Sequence, residues 1–278
     1  MRRTGIVALA GAALLFGMQA ASAADLPMIQ QAPSPAVVEF GGWYLRGDIG
    51  FSSERPGRFF ETGLDDPAQQ INGGFETDGI FRLGVGYQFN SWLRADVTGE
   101  FRSPATFHGL RQVSTSGTCD CVVTEQATVI KSEFVGLANV YADLGTWWGV
   151  TPFIGAGLGF AANRLSNFQE VAVASSCGCF PNIAAFAPAK NTWNFAWALH
   201  AGMAYKVTPN LSLELAYRFL SLGRAQTGAF VFEDVDGSVE RAVFHIDRLT
   251  SHDFTLGVRW LFALPPPPEP FYPLVRKG

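Results

Sequence analysis

The chain has 278 residues, of which only 16% are charged, and a formal net charge of −4. Its arginines are scattered at alternating positions and make no basic stripe, which excludes nucleic acid as a partner. Beyond the N-terminal segment there is no run of about 18 apolar residues, which excludes spanning helices. A charge-poor chain with 30 glycines and 24 phenylalanines then points to strands.

Residues 1–23, MRRTGIVALAGAALLFGMQAASA, combine Arg2 and Arg3, an apolar stretch from Gly5 to Gly17, and Ala21-Ser22-Ala23 as a small-residue cleavage site. This is the pattern of a secretory signal peptide, with the mature chain expected to begin at Ala24. Its apolar stretch is shorter than the roughly 20 residues of a spanning helix. Residues 24–42 are proline-containing and aperiodic, and read as a periplasmic lead-in.

Period-two alternation then begins, the signature of strands with two different faces. Segment 43–52 sets Trp43, Leu45, Ile49 and Phe51 against Tyr44, Arg46 and Asp48. Segment 80–89 sets Phe81, Leu83, Val85, Tyr87 and Phe89 against Arg82, Gly84, Gly86 and Gln88. Segment 93–102 opposes Leu93, Ala95, Val97 and Phe101 to Arg94, Asp96, Thr98, Glu100 and Arg102. In segment 132–144 the favoured phase puts Phe134, Gly136, Ala138 and Val140 outward, with Glu133, Asn139, Tyr141 and Asp143 inward.

Segment 152–161 opposes Ile154, Ala156, Leu158 and Phe160 to glycines 155, 157 and 159, a small-residue row that suits a narrow interior. Segment 193–207 sets Trp193, Phe195, Trp197, Leu199, Met203 and Tyr205 against Asn194, His200 and Lys206. Segment 211–220 sets Leu213, Leu215, Tyr217 and Phe219 against Ser212, Glu214 and Arg218; segment 253–262 sets Phe254, Leu256, Val258, Trp260 and Phe262 against Asp253, Thr255 and Arg259. These are strands of about ten residues, the length that crosses a bilayer when tilted.

The connections alternate. Asn90–Trp92, the Gly-Trp-Trp-Gly stretch near 145–149 and Thr208–Asn210 are short, whereas the intervening segments each run to roughly 25 or 30 residues, the asymmetry of outer-membrane barrels. Trp43, Trp92, Trp147, Trp148 and Trp260 gather on the short-turn side, where an interfacial aromatic girdle belongs.

A water-exposed sheet face is rich in lysine and glutamate, but here the polar positions hold balanced charge and small residues, with Lys206 the lysine among them. Arg46, Arg82, Arg94, Arg102, Arg218 and Arg259 stand against Asp48, Asp96, Glu100, Glu133, Glu214 and Asp253, a set able to pair inside a narrow lumen. The expected fold is an all-β, eight-stranded antiparallel transmembrane barrel over residues 43–262, with short periplasmic turns and long extracellular loops. Side chains can fill an interior of that width. A small-solute porin of narrow conductance is the alternative.

On WYLRGDIGF at 43–51, WLRADVTGEFR at 92–102, LELAYRFLSLG at 213–223, the mature start ADLP and an aromatic-ended last strand, the sequence resembles the small outer-membrane β-barrel proteins of the OmpA-like and opacity-porin type, common in alphaproteobacteria. The resemblance covers roughly residues 40–262. It implies the outer membrane of a Gram-negative bacterium and a role in envelope integrity and surface contact, with weak porin activity in some members. Residues 263–278 form a proline-rich periplasmic tail, similar to the linker that precedes a peptidoglycan-binding domain in OmpA-like proteins but too short to be that domain.

Cys119 and Cys121, and Cys177 and Cys179, fall in two external loops. In an oxidising compartment disulfides between or within these pairs are the first reading, with three connectivities open. Zinc or copper is disfavoured, because zinc pairs usually leave two to four residues between cysteines. His200 sits on the lumen face of its strand with no serine pattern marking a nucleophile, so it reads as a satisfied interior histidine and no enzyme is expected. The acid-rich first loop (Glu54, Glu61, Asp65, Asp66) and last loop (Glu233, Asp234, Asp236, Glu240) read as solvated charge ahead of calcium binding or bridging to lipopolysaccharide phosphates. Neither a cofactor nor a metal is expected. Expected partners are outer-membrane lipid, lipopolysaccharide and the barrel assembly machinery, with peptidoglycan or surface ligands as further candidates.

Overall fold

A computed structural model describes residues 41–62, 72–115, 121–175, 184–233 and 239–262. In chain order its strands are β1 (Gly42–Arg55), β2 (Phe59–Thr62), β3 (Asn72–Phe75), β4 (Asp78–Gln88), β5 (Leu93–Thr115), β6 (Cys121–Asp143), β7 (Val150–Ser175), β8 (Ala184–Ala187), β9 (Lys190–Lys206), β10 (Leu211–Gln226), β11 (Phe230–Glu233) and β12 (Val239–Leu261). The long strands pair antiparallel in the order β1-β4-β5-β6-β7-β9-β10-β12, and β12 pairs back to β1 from Tyr44–Leu261 to Arg55–Thr250. The sheet is therefore a closed eight-stranded barrel without free edges in the ring. The four short strands extend its far end: β2 and β11 on β12, β3 on β5 and β8 on β7.

At the near end the turns are tight for identifiable reasons. Asn90 Oδ1 accepts hydrogen bonds from the backbone N–H groups of Trp92 and Leu93, and Thr208 Oγ1 accepts from those of Asn210 and Leu211. Between β6 and β7, Trp148 and Gly149 both take positive φ (52° and 81°), which lets Trp147 pair with Val150. Such side-chain-to-backbone bonds let a strand reverse without orphaned donors.

The expectation of long loops at the far end needs correcting. β5, β6, β7 and β12 run to 23, 23, 26 and 23 residues, so much of what reads as loop continues the strands beyond the length a bilayer requires. Alternation hides this continuation because the phase changes. In β5 the buried side chains are Arg94, Asp96, Thr98, Glu100 and Arg102, then Ala105 and Phe107, with an irregularity in register between Arg102 and Ala105. β7 changes phase around Asn167 (φ 53°), β10 at Gly223 (φ 81°), and β12 at Arg248 (φ 54°). An inserted residue in one strand of a pair turns its following side chains to the other face.

Interior chemistry changes at the same level. Between the near end and Arg102 the buried side chains hold the charged set beside smaller apolar groups such as Leu137, Ala196 and Ala198, while outward positions such as Ile49, Phe81, Val97 and Leu158 are exposed hydrophobics. Beyond it the interior is apolar: Phe59, Phe107, Val129, Leu165, Phe168, Leu222, Phe230, Phe244 and Leu249 form one packed cluster. The barrel is thus inside-out where a lipid belt meets it and conventional where it leaves that belt.

Candidate functional site in the barrel interior

The charged interior is built in two tiers. In the tier toward the short turns, Arg46 lies 2.8 Å from Asp48, 3.1 Å from Asp96 and 3.3 Å from Glu214. Arg82 meets Asp48 at 3.1 Å, Arg94 meets Asp143 at 3.1 Å and Glu214 at 3.3 Å, and Arg259 meets Glu214 at 2.7 Å. In the far tier, Arg102 reaches Asp253 at 2.6 Å, Glu100 at 2.9 Å, Glu54 at 3.3 Å and Glu133 at 3.6 Å. Arg218 lies 2.6 Å from both Glu100 and Asp253, and Lys131 pairs with Glu54 and Glu133.

Rings and amides frame the ions. The Arg94 guanidinium lies 4.4 Å from the Tyr141 ring centroid and 4.6 Å from that of Phe153, a partner-rich setting for a desolvated cation. The Tyr44 hydroxyl donates to Asp96, and Asn139 Nδ2 donates to Asp96 and Thr98. Glycine is required where an ion pair crowds the wall: a Cβ at Gly257 would come within 2.1 Å of Asp48 Oδ1, the carboxylate that Arg46 and Arg82 share.

The structure buries each of the twelve charged residues that alternation assigns to the lumen, from Arg46 to Arg259. It adds others that the strand patterns missed. Glu54 is a lumen residue and not a solvated loop carboxylate, since β1 extends through Arg55; Glu61 likewise points inside from β2. Lys131, only 1% exposed, is a second lysine on a polar face and sits just below the start of the segment read as strand. Asp78 precedes segment 80–89 by two residues, so continuing its alternation by one step finds it.

His200 stays inside, its Nε2 3.2 Å from Asn139 Oδ1 and its ring 5.3 Å from that of Tyr141. An amide and a phenol ring orient an imidazole but supply no nucleophile. Trp43, Trp92, Trp147, Trp148 and Trp260 are all exposed toward the short-turn end. Cys119, Cys177 and Cys179 lie outside the described residues, as do Asp65, Asp66, Asp234 and Asp236, the signal segment and the tail; the side chains of Cys121, Glu233 and Glu240 are also outside them.

Beyond the apolar cluster, Arg111 gathers three carboxylates: Glu61 at 2.7 Å, Glu125 at 2.5 Å and Glu170 at 3.1 Å. Burial and the negative neighbours Glu61 and Glu125 raise the Glu170 carboxyl above the ordinary glutamate range, with Arg111 opposing them.

A closed barrel with an apolar outer belt and an ionic interior is the arrangement that lipid on one side and a narrow lumen on the other demand. The model of the outer membrane protein beta-barrel domain family matches residues 9–262. The chain belongs to this family. This outer-membrane β-barrel protein is 31% identical over 265 residues to an uncharacterized protein of Brucella suis, covering 86% of this chain and 88% of that one. It is 26% identical over 222 residues to a Rickettsia bellii protein named "Putative adhesin", covering 78% and 87%. It is 27% identical over 194 residues to outer membrane protein PagN of Salmonella typhimurium, covering 67% and 74%. The barrel therefore resides in the outer membrane of a Gram-negative bacterium, its short turns periplasmic and its extended strands external.

Proposed function

We propose that this barrel is a structural and surface-contact protein: its ion-paired interior braces the wall, and its external strand extensions and loops meet partners outside the cell while contributing to envelope integrity. The observation that carries this reading is the stack of two charged tiers beneath an apolar cluster. Arginines from β1, β4, β5, β10 and β12 reach carboxylates on other strands, which favours a brace over a track for ions. Relatives of matching length support surface contact, since one carries the name of an adhesin.

In this reading lipopolysaccharide and outer-membrane lipid pack the wall, the barrel assembly machinery inserts it, and the external tips hold whatever surface ligand it contacts. No catalytic role is assigned to His200, whose neighbours satisfy it without a nucleophile. Attachment of a non-adherent laboratory strain carrying the chain on its surface tests the proposal. Attachment to host-cell or matrix surfaces should rise with the wild-type chain and fall to background when residues 116–120 and 176–183 are replaced by short turns. Equal attachment with and without the chain would contradict surface contact.

A further inference from the structure

The two tiers of the interior differ in charge. Toward the periplasm Arg46, Arg82, Arg94 and Arg259 face an equal number of carboxylates: Asp48, Asp96, Asp143 and Glu214. In the far tier Arg102, Lys131 and Arg218 face Glu54, Asp78, Glu100, Glu133 and Asp253; Arg82 also reaches Glu100 at 3.8 Å, and the two tiers together hold two more carboxylates than cations. The excess is localised. Glu54, Asp78 and Glu133 come from β1, β4 and β6 and present carboxylate oxygens that all lie within 4.8 Å of one another.

Asp78 is the informative member. It is 1% exposed, neither of its carboxylate oxygens has a hydrogen-bond partner, and among the described residues no arginine or lysine pairs with it. Glu54 gives Oε1 to both Lys131 and Arg102, which leaves its Oε2 without a partner as well. A buried, unpartnered carboxylate costs several kcal/mol in an interior of this kind unless something neutralises it. The apolar cluster on the external side, with Phe107, Val129 and Leu249, shields this spot from bulk water.

We propose that Glu54, Asp78 and Glu133 hold one divalent cation of the hard, oxygen-preferring class, with calcium the best fit. Three carboxylates without histidine or cysteine disfavour zinc and copper. Two oxygens bound to one calcium ion at about 2.4 Å can be up to about 4.8 Å apart, and water completes the six to eight ligands this ion takes. The ion supplies the two missing positive charges and ties together β1, β4 and β6, which side-chain hydrogen bonds to Asp78 do not.

The test is to refold the full chain in detergent with calcium alone or with EDTA, count bound calcium by equilibrium dialysis, and follow heat-modifiable gel migration. The wild-type barrel should retain one ion per chain and keep its folded mobility to a higher temperature with calcium than with EDTA. Asp78→Asn and Glu133→Gln should each weaken that binding at least tenfold. Without calcium, Asp78→Asn should resist heat as well as or better than the wild type, since it removes an uncompensated charge. No tightly held ion in the wild type would overturn the proposal and leave the excess charge to protons. Undiminished binding in either folded variant would also overturn it, placing the calcium at loop or rim carboxylates.

Discussion

Arg102 Nη2 lies 2.6 Å from Asp253 Oδ2, a contact that bridges the barrel, because β1 and β4 stand between β5 and β12 in the ring. The same Asp253 oxygen takes Arg218 at 2.6 Å, and Arg102 also serves Glu54, Glu100 and Glu133. One guanidinium thus neutralises carboxylates from four strands, a task suited to a flat group with five donors.

Replacing Arg102 by methionine preserves much of the volume and strands those carboxylates in a dry interior. The expected loss is about 3–5 kcal/mol of folding free energy, the range for breaking a buried ion pair from one side. Urea unfolding of the barrel in lipid vesicles measures it. Arg102→Lys should recover only part, because an ammonium has three donors and no fork. A loss below about 1 kcal/mol for Arg102→Met would show that the far tier does not brace the wall.

The external rim should respond to pH through Glu170. Its folded carboxyl is raised above the unfolded glutamate value of 4.5, so its contribution to stability is full below that pH and declines as pH rises toward the folded value. Amide exchange in the external parts of β6 and β7 should therefore be slower at pH 5 than at pH 8. Glu170→Gln should flatten that difference by removing the titrating group. Exchange that slows with rising pH, after correction for intrinsic rates, would contradict the assignment.

Arg248 occupies the left-handed region at φ 54° where β12 changes phase. A residue with a Cβ is disfavoured there by roughly 1–2 kcal/mol relative to glycine. Arg248→Gly should leave the barrel equally or more stable, and Arg248→Val should destabilise it by a similar amount, both read from unfolding midpoints. A more stable valine variant would argue against this bend.

The membrane-crossing part of the fold was legible because lipid and lumen impose opposite demands on successive residues, as at Leu45-Arg46 and Phe101-Arg102. Tyr141 and Asn139 were placed inward by the same rule despite the small residues around them. The external extension was not legible. Each phase change, as between Arg102 and Ala105, inverts the pattern after a few residues, and the interior turns apolar at the same point, so Phe107 and Leu110 read as loop. Glu54 and Lys131 were missed for this reason: both lie at the level where the strand outlasts its membrane segment. The partners of Asp253 could not be read at all, since pairing across the ring depends on which strands face each other and not on spacing.

Paired charges and an apolar cap close the interior in this reading. Single-channel conductance of the refolded protein in planar bilayers tests it most directly, with heat-modifiable migration certifying the fold. The wild-type barrel should be electrically silent, and Arg102→Met should admit at most brief, irregular steps. Stable, ion-selective openings of the wild type would contradict the closed interior and identify the barrel as a narrow porin.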